Sequence, residues 1–85
     1  MYSYEKEKPN LFTDEGQRTF LKIRDNVHKL ISLAGAVKMG KAVTGTGGDW
    51  TLIACVERLV ELGELKEITD GHDACDQDRV FVSTQ

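Results

Sequence analysis

One cluster of side chains near the C-terminal end of the sequence has the types that bind metals. His72 and Cys75 are separated by two residues. Three aspartates flank this pair: Asp70, Asp73 and Asp76. A structural zinc site needs four ligands, and the other His and Cys residues, His28 and Cys55, are distant in sequence. A calcium loop would need a bidentate glutamate to close it. The sequence therefore predicts a polar turn here, without a metal or a cofactor.

Two other features of the sequence resemble ligand-binding or catalytic sites. Residues 44 to 48, TGTGG, are as rich in glycine as a phosphate-binding loop, but no Gly-Lys-Ser/Thr follows, and Asp49 would place negative charge where an anion must bind. Cys55 would need a neighbouring histidine to become a nucleophile, and its place in an apolar helical pattern indicates a small core residue. We therefore predict a turn, a buried thiol and no enzymatic activity.

Two amphipathic helices are predicted to build the core. Thr13 or Asp14 can cap the first helix, and Gly35 is placed to end it. Its apolar residues recur at spacings of three and four: Phe20, Ile23, Val27, Leu30, Ile31 and Ala34. The later helix begins at Asp49 and closes at Gly63. Its inner stripe consists of Leu52, Val56 and Leu59.

The rest of the chain is predicted to form shorter elements. Residues 1–11 are charged and lack periodicity, so we expect a flexible N-terminal arm followed by one domain over residues 12–85. Ala36 and Val37 are expected in a small edge strand, and a short second helix is expected to begin near Lys38. Residues 65–69 and 79–83 are β-prone, and Asp70-Gly71 opens the turn between them.

Composition limits the class of protein. Eighty-five residues with 40% apolar side chains suffice for one small core. The two cysteines are expected to be free thiols in a reducing compartment. The N-terminal residues lack the apolar run of a secretory signal or a membrane anchor. These features predict a soluble cytoplasmic protein that has no membrane partner.

The run TLIACVERLVELGELKEI resembles the third helix and first wing strand of winged-helix transcription regulators. The shared pattern places apolar residues at Leu52, Val56 and Leu59, then Gly63, then an apolar strand start at Leu65. The likeness extends over roughly residues 14 to 83. It implies an α+β winged helix with three helices followed by a two-stranded C-terminal β-hairpin, the wing.

The resemblance also implies a function, because the third helix of such proteins enters the DNA major groove while neighbouring elements contact phosphates. Carried over to this chain, the groove-facing positions are Trp50, Thr51, Ile53, Ala54, Glu57 and Arg58. The basic and hydroxyl residues around the second helix and the wing are expected to add phosphate contacts. The full set of expected contacts to double-stranded DNA is Lys38, Lys41, Thr44, Thr46, Thr51, Arg58, Lys66 and Arg79. This reading predicts a small transcriptional regulator.

The charge distribution supports a different reading. Residues 1–48 carry eight Lys and Arg against five Asp and Glu, whereas residues 49–85 carry three against nine. The half that would read DNA is thus acidic and would repel phosphate. The alternative is a module that binds a protein or a second copy of itself. Its expected contact residues are Trp50, Ile53, Ala54 and Glu57.

Overall fold

Residues 2–43, 50–69 and 77–84 are described by a computed structural model of the chain. These ranges contain four α-helices, one 3-10 helix and three β-strands. In chain order they are α1 (Tyr4–Glu7), the 3-10 helix (Lys8–Phe12), α2 (Asp14–Ala34), β1 (Val37–Lys38), α3 (Met39–Ala42), α4 (Trp50–Glu61), β2 (Leu65–Glu67) and β3 (Val80–Ser83). The predicted α+β class is confirmed.

Helix α2 begins and ends where its capping residues predict. The Thr13 hydroxyl accepts a hydrogen bond from the Gly16 backbone N–H at 3.0 Å, and this satisfies a donor that the first turn leaves unpaired. Gly35 closes the helix with φ of 83°, and its N–H donates to the Ile31 carbonyl. That left-handed conformation favours glycine, which lacks a Cβ to clash.

The predicted inner stripe of α4 forms the centre of the core. Leu52, Val56 and Leu59 are all buried. Val27 of α2 is also buried in this cluster, and Phe20 and Ile31 pack against it from partly exposed positions. Cys55 is fully buried, as its apolar surroundings in the sequence predict. The core therefore lies between α2 and α4, with the sheet closing one side.

Within the described residues the sheet has three antiparallel strands in the order β1-β3-β2, one more than the two-stranded hairpin that the winged-helix resemblance implies. Val37 pairs with Phe81 and Lys38 with Val80, so the edge strand expected at Ala36 and Val37 lies one residue later and joins the C-terminal hairpin. Phe81 is the buried residue of β3. The turn predicted at Asp70-Gly71 lies outside the described residues.

The N-terminal residues differ most from expectation, since residues 1–11 were predicted to be a flexible arm. Residues 4–12 are helical in the structure, and Leu11 is only 1% exposed. Pro9 fits the first turn of the 3-10 helix, where a missing N–H has no cost. We call residues 2–12 the N-terminal segment. It packs against α2 and α4, which a sequence pattern without periodicity does not reveal.

Gly16 allows this packing. A Cβ built on Gly16 would lie 1.9 Å from the Asn10 carbonyl oxygen and 2.8 Å from the Leu11 Cα. The backbone of the 3-10 helix therefore crosses α2 where only glycine leaves room. Gln17 donates from its side-chain amide to the Leu11 carbonyl at 2.6 Å, a second contact between the two elements.

No helix within the described ranges is long and apolar enough to cross a membrane.

Candidate interaction site on the outer face of α4

The side of α4 that points away from the core is covered by the N-terminal segment. We define this outer face by residues that recur at helical spacing: Trp50, Ala54, Glu57, Arg58 and Glu61. Ala54 is fully buried and Trp50 is 41% exposed. Because this side of α4 is not free, its contacts with the N-terminal segment determine its chemistry.

Tyr2 makes the first of these contacts. Its hydroxyl donates to Oε2 of Glu57 at 2.5 Å, and its ring meets the Trp50 ring edge to face with centroids 6.0 Å apart. Burial and the nearby Glu57 carboxylate raise the pKa of the Tyr2 hydroxyl well above its ordinary value. Tyr2 therefore stays a neutral hydrogen-bond donor to an acidic side chain.

Glu61 receives three donors, two of them from the N-terminal segment. Tyr4 donates its hydroxyl to Oε1 at 2.8 Å, Lys8 contacts Oε2 at 3.0 Å, and Arg58 contacts Oε1 at 2.6 Å. These hydrogen bonds, with that from Lys8 the largest, lower the pKa of Glu61 from 4.5 to about 2. Each exposed pair stabilises little alone, so the cluster fixes position more than it adds stability.

Arg58 and Phe12 connect the end of the N-terminal segment to the same face. The Arg58 guanidinium lies 5.3 Å from the centre of the Phe12 ring, in the range of a cation–π contact. Phe12 remains 56% exposed. Arg58 thus contacts both Glu61 and Phe12.

Arg79 links α4 to β2 and β3, the two strands that we call the wing. Its Nε and Nη2 donate to the two carboxylate oxygens of Glu67 at 3.0 and 2.8 Å, and Nη2 also reaches Glu57 at 3.4 Å. The guanidinium lies 5.3 Å from the Phe81 ring centre. The side chain is buried, and its hydrogen bonds with Glu67 raise its pKa. Arg79 was predicted as a phosphate contact, but the structure places it in this internal network.

Thr69 completes the network on the wing side. Its hydroxyl donates to Glu67 Oε2 at 2.8 Å and accepts from the Val80 N–H at 3.2 Å. A continuous chain of hydrogen bonds therefore runs from Tyr2 through Glu57, Arg79 and Glu67 to Thr69. It connects the N-terminal segment, α4 and both strands of the wing.

The other described residues that were predicted to contact DNA lie on separate parts of the surface. Lys38 and Lys41 are exposed and line a shallow pocket of about 340 Å³ beside Gln77 and Asp78. Lys66 is exposed on β2. Thr51 is half-buried and lines a separate cavity of about 380 Å³. Thr44 and Thr46 lie outside the described residues.

The residues predicted to bind a protein partner are placed unevenly. Trp50 and Glu57 lie on the outer face beneath Tyr2. Ile53 is half-buried against the core, and Ala54 is fully buried. Of the three apolar residues among them, only Trp50 is exposed on the outer face, and the polar contacts of this face come from Glu57 and Glu61.

A second polar cluster joins α2 to the turn after α4. Glu64 accepts from Arg24 at 2.9 Å and lies 3.1 Å from the His28 ring. The hydrogen bond from Arg24, the largest contribution, lowers the pKa of Glu64. Because its partners are already in place, this carboxylate serves to hold the turn against α2.

Two predictions about metals concern residues beyond the described ranges. His72 and Cys75, with the aspartates around them, lie in residues 70–76. Within residues 2–43, 50–69 and 77–84, no group of three His, Cys, Asp or Glu side chains is arranged to hold a metal ion.

Sequence reasoning missed the part of the site that lies in the N-terminal segment. Tyr2, Tyr4 and Lys8 contact α4 more than 50 positions away in sequence, so no local pattern relates them. The one available signal is that two tyrosines interrupt an otherwise charged stretch. Aromatic rings with a polar end commonly lie at contacts.

Comparison of the chain with protein-family models, curated proteins and solved structures gave no match.

Proposed function

We propose that this chain is a protein-interaction module built on a winged-helix plan, with the outer face of α4 as its binding surface. The order of the elements supports the plan, because α2, α3 and α4 precede the β2-β3 hairpin. The pairing of β1 with β3 supports it further, since it ties the segment between the first two of these helices to the wing.

One observation carries the functional part of the proposal. The outer face of α4 already holds a protein segment, through Tyr2 on Glu57 and through Tyr4 and Lys8 on Glu61. In a winged-helix protein that reads DNA, this helix side would enter the major groove. Here its acceptors are carboxylates, which suit hydroxyl and ammonium donors and repel phosphate.

The cations of this region also favour a protein partner over DNA. Arg58 is paired with Glu61, and Arg79 is buried between Glu57 and Glu67. A phosphate contact by either side chain would require breaking an ion pair that the fold uses. Lys38 and Lys41 remain exposed, yet they lie on β1 and α3 and not on the outer face.

The experiment that separates the two functions is fluorescence anisotropy with a labelled random-sequence duplex at low salt, where the attraction to the phosphate backbone is strongest. We expect no saturable binding. The matched control is the double variant Lys38→Ala/Lys41→Ala, which we expect to behave like the unaltered chain.

Saturable binding to the duplex would contradict the proposal, especially if the double variant flattened the dependence of log affinity on log salt. Each phosphate contact contributes a slope of about −0.9. Loss of two contacts would therefore be measurable, and it would restore the reading as a DNA-binding regulator.

A further inference from the structure

The N-terminal segment is held in two different ways along its length. Leu11 is 1% exposed, and its backbone runs so close to α2 that a Cβ on Gly16 would lie 2.8 Å from the Leu11 Cα. Helix α1, in contrast, has no buried residue. We call residues 2–8 the tip of the segment. Within the tip, Tyr4 packs against the core from a partly buried position and Tyr2 meets the Trp50 ring. The other contacts of the tip are hydrogen bonds and ion pairs, which stabilise weakly, whereas Leu11 anchors the segment in the core.

The outer face offers a defined set of partners to the tip. Glu57 and Glu61 are four positions apart, so their carboxylates lie one helical turn from each other on the same side of α4. Glu57 accepts a tyrosine hydroxyl, and Glu61 accepts a second tyrosine hydroxyl and a lysine ammonium. Trp50 packs against the first tyrosine ring. The face thus selects two phenols and one cation.

The two carboxylates also have contacts outside the tip. Arg79 contacts Glu57 at 3.4 Å and is itself fixed by two bonds to Glu67. Arg58 contacts Glu61 at 2.6 Å. Both carboxylates therefore have a partner on α4 or the wing that orients them, so we expect the acceptor pair to persist when the tip detaches.

We propose that the tip is a ligand in cis that masks the outer face of α4, and that the partner which displaces it is a peptide segment of the same chemistry. That chemistry is Tyr-x-Tyr-x-x-x-Lys, as at Tyr2, Tyr4 and Lys8. This inference rests on the proposed function of α4 as a protein-binding surface. Because the tip is tethered at Leu11, its effective concentration is high, about millimolar for short tethers, and a partner competes only when the tip is weakened.

The test uses the full chain carrying Tyr2→Phe, Tyr4→Phe and Lys8→Gln, which removes the donors of the tip and leaves Leu11 in place. The probe is a labelled synthetic peptide with the sequence of residues 1–10. Its binding is measured by the anisotropy of the label and by the fluorescence of Trp50, the one tryptophan of the chain. We expect the variant to bind the peptide at least about tenfold more tightly than the unaltered chain, because the tethered competitor is weaker.

Two controls test the chemistry. A peptide with the same three substitutions is expected to bind the variant about tenfold more weakly, since it lacks the donors for charged acceptors. Adding Glu61→Gln to the variant is expected to weaken binding of the original peptide, while the melting temperature stays within a few degrees, as is usual for an exposed side chain. Equal binding of both peptides would overturn the proposal.

The remaining outcomes are also decisive. If neither protein binds the peptide while the variant is still folded, the inference is overturned. If neither protein binds the duplex either, the proposed function still stands. Dimers of the unaltered chain in a sizing experiment would overturn the inference in favour of a second copy as the occupant. Duplex binding by the variant would instead remove the proposed function.

Discussion

Arg79 holds Glu67 with both arms of its guanidinium, Nε on Oε2 at 3.0 Å and Nη2 on Oε1 at 2.8 Å. Glu67 is the last residue of β2, and Arg79 directly precedes β3. The pair therefore joins the two strands of the wing. Because Nη2 also reaches Glu57 on α4, this pair fixes the wing to the helix that carries the outer face.

Replacing Arg79 should therefore destabilise the fold. We expect Arg79→Ala to lower the free energy of unfolding by about 3 kcal/mol, because it leaves two partly buried carboxylates without their cation. Arg79→Lys should recover only part of this loss, since an ammonium cannot form the two-armed contact. Urea denaturation followed by Trp50 fluorescence measures both. The exposed control Lys66→Ala should change stability by less than about 0.5 kcal/mol, and a similar value for Arg79→Ala would contradict the network.

For Gly16→Ala, the sign of the change in stability alone tests the structure. Helix propensity favours alanine over glycine by about 1 kcal/mol, so an uncrowded site would become more stable. The structure predicts destabilisation, since the new Cβ would lie 1.9 Å from the Asn10 carbonyl oxygen. Thermal unfolding measured by circular dichroism would show a lower melting temperature. A rise would mean that the 3-10 helix does not cross α2 as described.

The core of this fold could be predicted because its signals are local. Thr13, Gly35 and the stripe Leu52, Val56 and Leu59 act within one helix, and each was found in its expected role. The edge strand was expected at Ala36 and Val37 and lies at Val37 and Lys38, but its place in the sheet could not be predicted. Their pairing with β3 depends on a partner more than 40 positions away.

The candidate site could be predicted only in part, for the same physical reason. Trp50 and Glu57 were identified from their side of the helix, and both lie in the site. The role of Arg79 was missed because a basic residue beside a wing strand suits a phosphate and an internal carboxylate equally well. The positive charge of Arg79 does not show whether a phosphate or an internal carboxylate is its partner.

The same substitution at a buried and at an exposed leucine tests the packing of the core. Leu59→Ala is expected to cost about 2 to 5 kcal/mol of unfolding free energy, because it removes buried methyl groups and leaves a cavity. Leu33→Ala is the control, since Leu33 is 75% exposed on α2 whereas Leu59 is fully buried. Chemical denaturation should separate the two variants clearly. Equal effects would contradict the packing of α4 against α2.

Glu61 makes the attachment of the tip depend on pH. Its pKa is lowered from 4.5 to about 2 in the folded chain, so its contacts stabilise fully above the unfolded pKa and are lost as pH falls through the folded value. An NMR titration of the Glu61 carboxyl should show this low pKa. In Lys8→Gln the pKa should rise, since the largest cause is removed. An ordinary pKa in the unaltered chain would contradict the contact with Lys8.

The occupation of the α4 outer face by the chain's own N-terminal segment is tested most directly by nuclear Overhauser contacts in solution. The rings of Tyr2 and Trp50 are 6.0 Å apart between centroids, so their nearest ring protons should give cross-peaks. We predict those cross-peaks in the unaltered chain at neutral pH and their loss in Tyr2→Ala. Absence of the cross-peaks in the unaltered chain, with backbone order parameters of residues 2–8 below about 0.6, would show a free arm and an uncovered helix, and would contradict the account.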